Sequence, residues 1–212
     1  MSHVLQSDYL PRLSSAGFEI RPTPKPVQDT LVGLYALRSG SSSSEGSDPQ
    51  FHSGDPRFVD ASDVGADILR LLQPIHEEFA GVALEPSAAY GLRDYQRGNT
   101  LRMHVDRVAT HIVSSVLQVA QDVDAPWPLT VRCAGADHQV YLEPGQMVLY
   151  EGAACAHGRP EPLNGRSFVN LFVHYKPVDW SWSVEKLLEC ARSDGRIESN
   201  GDWSEIPSRA NP

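Results

Sequence analysis

The sequence predicts a mainly β fold with flanking helices (α+β), on three observations. Between Ala89 and Tyr175 short β-type apolar runs recur, separated by turn residues. An amphipathic helical stripe precedes these runs, and a second follows them. Short strands at regular spacing with turn signals between them indicate a sandwich or barrel.

Taken in order, the first pieces are Phe18-Glu19-Ile20 and the run Leu31–Leu37, set among Pro22, Pro24 and Pro26. Repeated prolines remove ladder donors and disfavour the α region before them, so these pieces read as strands or edges rather than long helices. Residues 39–57 are rich in Ser, Gly, Asp and Pro and read as a mobile loop or lid. Ser62 is placed to cap a helix whose stripe is Val64, Ile68, Leu71, Leu72, Ile75 and Phe79, with Pro74 expected to kink or divide it. The strand runs are Ala89–Tyr95, Leu101–Asp106, His111–Val119, Leu129–Cys133, Gln139–Leu142, Met147–Tyr150 and Phe168–Tyr175. Glu143-Pro144-Gly145-Gln146 and Leu163-Asn164-Gly165 supply turn chemistry between them. After Pro177, Ser183 is placed to cap a helix running to about Ser193, and a polar, loosely held tail follows. The expected organisation is one domain over 1–212: a supporting region 1–85, a β core 86–178, and a helix and tail 179–212.

With 41% apolar and 21% charged residues, the composition is that of a globular chain and excludes wholesale disorder. No apolar run approaches the length needed to span a membrane, and no secretory signal is visible, so a cytoplasmic location and no membrane partner are expected. A net charge of −9 argues against a nucleic-acid partner. Cys133, Cys155 and Cys190 are odd in number and show no paired spacing, which predicts no disulfide framework.

The chemistry concentrates on His104-Val105-Asp106. Side chains alternate along a strand, so His104 and Asp106 point the same way and can share one ion. With His157 they make a two-histidine, one-carboxylate face, the donor set that suits a redox-capable iron. Arg166 follows His157 by nine residues across a turn; if that turn closes an antiparallel pair, Arg166 returns beside His157. Alternation from Arg166 puts Phe168, Asn170, Phe172 and His174 on one face, a ligand-lining mixture, and Val169, Leu171, Val173 and Tyr175 on a packing face. A buried arginine near a metal needs an anion. A dicarboxylate such as 2-oxoglutarate satisfies both, chelating the metal at one end and taking the guanidinium fork at the other.

These residues resemble the iron(II)- and 2-oxoglutarate-dependent oxygenases, in their prolyl 4-hydroxylase-like branch. The resemblance spans roughly Tyr90 to Pro177 and rests on Tyr95 ahead of His104, the His104/Asp106 pair, Glu143-Pro144-Gly145, His157 and Arg166. It implies a double-stranded β-helix (jelly-roll) core, with His104, Asp106 and His157 holding Fe(II) and Arg166 gripping the far carboxylate of 2-oxoglutarate. Tyr95 matches a family tyrosine near the cosubstrate; Ser115, which alternation from His111 puts on that histidine's strand face, and Asn170 are further cosubstrate candidates. The chain departs from the pattern where relatives carry a Gly-Gly pair, having Trp127-Pro128-Leu129 instead. O2 is the oxidant the resemblance implies. Asp106 favours hydroxylation, since halogenating relatives replace that carboxylate with a small residue. The expected substrate is a peptidyl or free amino acid, with Arg107, Arg102 and Arg159 as candidates to receive its carboxylate.

Three other readings compete. A cupin-type metalloenzyme or sugar-binding module usually carries His-X-His, which is absent here. A zinc hydrolase could use the same three ligands but would not need Arg166. A non-enzymatic β-sandwich binding module leaves the conjunction of these residues unexplained.

Overall fold

The computed structural model describes residues 6–46 and 52–196. Strands are β1 (Phe18–Pro22), β2 (Ser43–Ser44), β3 (His52–Ser53), β4 (Arg57–Val59), β5 (Leu84–Ala89), β6 (Leu92–Tyr95) and β7 (Thr100–His104). They continue with β8 (Val113–Val123), β9 (Leu129–Cys133), β10 (Ala136–Val140), β11 (Gln146–Tyr150), β12 (Ala156–Arg159) and β13 (Gly165–Pro177). The helices are α1 (Lys25–Arg38), α2 (Ser62–Ala80) and α3 (Val184–Ser193). One sheet runs β1-β11-β8-β13-β6-β4-β2, with β5 also paired to β13; the other runs β10-β9-β12-β7-β3. The pairings between strands are antiparallel, and the two sheets form a jelly-roll core.

β13 shows how period-two patterning builds the layers. Val169, Leu171, Val173 and Tyr175 join the core shared with Val27, Leu31 and Leu34 of α1 and Ile68, Leu72 and Phe79 of α2. Phe168 and Phe172 face the other way, between the sheets. A second apolar cluster, with Val116, Leu129, Val131, Val148 and Tyr150, fills the space between the sheets and leaves the metal-ligand candidates at one end. Asp94 ties α1 to this frame: its carboxylate accepts from Tyr35 Oη at 2.9 Å and from Ser167 Oγ at 2.6 Å.

Several local expectations change. The run Leu31–Leu37 lies in a helix: Pro24 and Pro26 sit at its start, where a missing N–H costs nothing, and Val27, Leu31 and Leu34 fall on one face. Pro74 does not divide α2, because it sits on the exposed side, where the carbonyl it fails to bond can meet water. Ser62 is the first helical residue rather than the cap, and its N–H and Oγ both donate to Asp60. Ser183 does cap α3, accepting from Lys186 N at 3.3 Å. Within 39–57 the described residues form β2, β3 and the start of β4; the rest of that expected loop, 47–51, and the tail from 197 lie outside the described residues.

The cysteine expectation is overturned: Cys133 and Cys155 form a disulfide with Cα atoms 5.1 Å apart. The two lie 22 residues apart in sequence and meet because β9 pairs β12, setting Arg132 against Ala156. Sequence spacing carries no record of that pairing. Cys190 is the free cysteine among the described residues. No helix among the described residues is long and apolar enough to cross a membrane.

His76, buried on α2, joins helix to sheet through Leu72 O at 2.9 Å and Ser115 Oγ at 2.9 Å. Burial pulls its imidazole down to about 4 from 6.5. The unfolded chain therefore takes up this proton first, so the contribution is fully favourable above 6.5 and is lost as pH falls toward 4. Between those limits His76 should add a slope of up to about 1.4 kcal/mol per pH unit. Urea unfolding of wild type and His76→Gln at pH 7, 5.5 and 4.5 should show the steeper acid loss in wild type; parallel profiles would refute it.

Candidate metal centre

The centre is assembled where β7 meets β12. Antiparallel pairing sets His104 directly opposite His157, and the register shifts before Arg159 pairs with Leu101. That bulge puts His104 and Leu101, three residues apart, against His157 and Arg159, two apart. Gly158 makes the close approach possible, since a Cβ there would lie 2.6 Å from Arg102 O. Asp106 lies just past the end of β7, with its N–H donating to Gly152 O at 2.8 Å.

Asp106 Oδ1 stands 4.0 Å from His104 Nε2 and 3.7 Å from His157 Nε2. One donor atom from each of the three residues lies within 4.8 Å of the others, a compact set suited to one ion. Each histidine is oriented from behind: His104 Nδ1 bonds Arg102 O at 2.8 Å and His157 Nδ1 bonds Cys155 O at 3.0 Å. A neutral imidazole that donates Nδ1–H to a carbonyl presents the Nε2 lone pair to a metal. Burial brings both imidazoles down to about 4, so they are neutral at neutral pH, the form able to ligate a metal. Burial also raises the Asp106 carboxyl, a cost that a bound cation would offset.

The three residues line a cavity of about 290 Å³. Leu101, Val116, Leu129 and Tyr150 contribute to its wall with these three, and Tyr90, Arg93, Arg107, His111 and Phe172 also line it. Arg93 reaches the wall held bidentately by Glu45, with Nε at 2.6 Å from Oε2, and lies over the rings of Tyr95 and Phe172.

Other predicted site residues are redistributed. Arg166 is not at the cavity: its side chain is 81% exposed and pairs with Asp122 at 2.6 Å. The pairing of β13 with β8 shifts between Gly165 and Ser167, so Arg166 is the extra residue of a bulge and its side chain leaves the face that Phe168 and Phe172 share. Arg159 is the buried arginine instead, 1% exposed, with its guanidinium 4.9 Å from the Trp127 ring and 4.8 Å from Phe168. Its Nη1 has no hydrogen-bond partner, and burial lowers the group to about 10, offset in part by Tyr95 and Tyr150. Tyr95 is fully buried against Trp127 and accepts from Arg93 Nη1 at 3.4 Å, outside the cavity lining. Asn170 is buried and donates to Gln118 Oε1 at 2.6 Å, also outside the lining. Ser115 faces His76 rather than the cavity, and Arg102 is exposed on the outer side of β7. Of the three substrate arginines, Arg107 lines the cavity.

Sequence reasoning put His174 on the ligand-lining face, and it does line the cavity, but Ser114 and Tyr150 were missed. β8 begins at Val113, so alternation cannot be counted from His111, and the inward serine is the one before Ser115. Tyr150 packs on His157 with ring centroids 4.5 Å apart, and burial raises its hydroxyl well above 10.

The jelly roll thus presents a His104-Asp106-His157 set that could hold a metal ion, and a fully buried arginine, Arg159. The chain matches no protein-family model and no curated protein. Solved structures similar to it include a prolyl 4-hydroxylase from Pseudomonas putida, at 16% identity and TM-score 0.58, covering 82% of this chain and 99% of that one. An oxidoreductase of the 2OG-Fe(II) oxygenase family from Burkholderia pseudomallei is 14% identical, with TM-score 0.57 over 76% of this chain and 85% of that one. HygX from Streptomyces hygroscopicus, with nickel, 2-oxoglutarate and hygromycin B bound, is 14% identical, with TM-score 0.57 over 77% and 84%. The protein has the fold of the 2OG-Fe(II) oxygenases.

Gly152 has no room for a side chain, because a Cβ would land on Asp106 Oδ2 and lie 2.5 Å from Ser114 Oγ. Gly152→Ala should therefore displace the carboxylate and weaken nickel binding by about tenfold or more. Calorimetric titration of the metal-free protein reads this directly, and equal affinities would exclude the close packing as a determinant.

Proposed function

We propose that the protein is an Fe(II)- and 2-oxoglutarate-dependent dioxygenase that hydroxylates an unactivated carbon of a peptidyl or free amino acid. The observation that carries the reading is the pairing of a His104-Asp106-His157 donor set with Arg159, a fully buried guanidinium whose Nη1 is unpartnered. An unpaired interior cation is costly, and an anion relieves it. In this reading Arg159, with the Tyr95 and Tyr150 hydroxyls near it, takes the role the sequence reading gave to Arg166 and binds the far carboxylate of 2-oxoglutarate. A zinc hydrolase would leave that arginine without a task.

His104, Asp106 and His157 would hold the iron. Bound iron supplies the activation of O2, with 2-oxoglutarate decarboxylated to succinate as the substrate is oxidised. The chain's own residues bind and exclude: Leu101, Val116, Leu129 and Phe172 wall off water, and the neutral histidines leave Asp106 as the site's anionic ligand. Arg107 at the cavity wall is placed to receive a substrate carboxylate. The likeness to prolyl hydroxylases, one of them from Trichoplax adhaerens in complex with a hypoxia-inducible-factor peptide, supports an amino-acid substrate.

The first test is succinate release with iron and 2-oxoglutarate, joined to a mass-spectrometric search for a +16 Da product among amino acids and proline-containing peptides; absence of succinate release would defeat the reading. Arg159→Gln should raise the KM for 2-oxoglutarate about tenfold or more with nickel affinity retained, whereas Arg166→Ala should change neither. The reverse pattern would return the anchor to Arg166. Arg107→Ala should raise the KM for the substrate found in that search more than the KM for 2-oxoglutarate, and equal effects would remove Arg107 from the substrate's contacts.

A further inference from the structure

We infer that Ser114 and His174 are positioning residues that fix which oxygen of Asp106 faces the metal. The inference rests on the metal-site reading above and concerns a hydrogen-bond chain behind the three ligands. Ser114 Oγ donates to Asp106 Oδ2 at 2.8 Å, and the same Oγ lies 2.8 Å from His174 Nδ1. All three groups are buried, with Ser114 at 0% exposure.

The direction of the chain follows from counting protons. A carboxylate that ligates a metal is ionised and can only accept. The single Ser114 proton is therefore spent on Oδ2, so its oxygen must accept from His174, and His174 must carry its proton on Nδ1. The chain runs His174 Nδ1–H to Ser114 Oγ–H to Asp106 Oδ2. His174 is itself held by stacking on His111, with ring centroids 4.0 Å apart and planes at 24°, and His111 Nε2 bonds the Tyr90 hydroxyl at 3.0 Å.

Two further contacts leave the carboxylate little choice. The Asp106 N–H is pinned to Gly152 O, and Gly152 packs against Oδ2 and Ser114. Oδ2 is thus occupied from behind while Oδ1 faces His104 and His157. A six-coordinate ion bound by two imidazoles and one carboxylate oxygen keeps three positions for reactants, and a second carboxylate oxygen would take one of them. The chain accordingly enforces single-oxygen ligation by Asp106.

The test uses the full chain, metal-free, with nickel alone in calorimetry and cobalt(II) alone in absorption spectroscopy. Ser114→Ala and His174→Leu should each lower nickel affinity about tenfold. Each should also alter the cobalt(II) ligand-field bands as Asp106 gains freedom to turn. His174→Asn, whose amide nitrogen takes the place of Nδ1 and can still donate to Ser114, should recover the wild-type bands in large part, a rescue that loss of packing alone would not give. Circular dichroism identifies which variants fold, and either of the first two suffices. Wild-type affinity and bands in a folded Ser114→Ala or His174→Leu would overturn the inference, as would failure of a folded His174→Asn to recover the bands. His157→Ala serves as the control: if it too binds nickel like wild type, the metal-site reading itself has failed.

Discussion

The antiparallel pairing of β7 with β12 is the constraint on which the site depends. It sets His104 opposite His157, and the bulge beside Gly158 brings Leu101 opposite Arg159 in the next step. A one-residue slip would turn one partner's side chains to the other face, because side-chain direction alternates with period two. β12 is fixed in turn by β9, with Ala156 against Arg132 and the Cys133–Cys155 disulfide beside that contact. His157 is thus held through its strand, through the carbonyl of Cys155 and through its packing on Tyr150. Asp106 is held separately, by Gly152 and Ser114.

Burial gives these groups their chemical states. Removing imidazoles from water favours their neutral form, the form that ligates a metal. The same burial makes Asp106 and Arg159 expensive as charges unless each has a counter-charge. The two costs are complementary: a cation would satisfy one and an anion the other. A metal chelated by a dicarboxylate would supply both.

The two most informative corrections, at Arg166 and Ser115, share one cause. Period-two counting assumes an uninterrupted strand, and β13 carries a bulge at Arg166 while β8 begins only at Val113. At such a break the residue in the irregular position leaves the face that counting gives it. Past the bulge the same counting succeeded, although the pairing with β8 shifts again between Val169 and Asn170: Phe168 and Phe172 point between the sheets, and Val169, Leu171 and Val173 join the core shared with the helices. The helical run at Lys25–Arg38 failed for a different reason. Prolines that forbid a helix interior favour its first turn, and position alone distinguishes the two.

By itself the amino-acid sequence determined the β-rich class, the capped helix at Val184–Ser193, the inward face of β13 and the three residues of the candidate metal set, because these depend on local periodicity and residue chemistry. Tertiary structure decided which arginine is buried, which serine meets Asp106 and that Cys133 bonds Cys155. Those outcomes depend on bulges, strand starts and pairings between segments distant in sequence. Such features arise when two sheets close on one another, and no single segment encodes them.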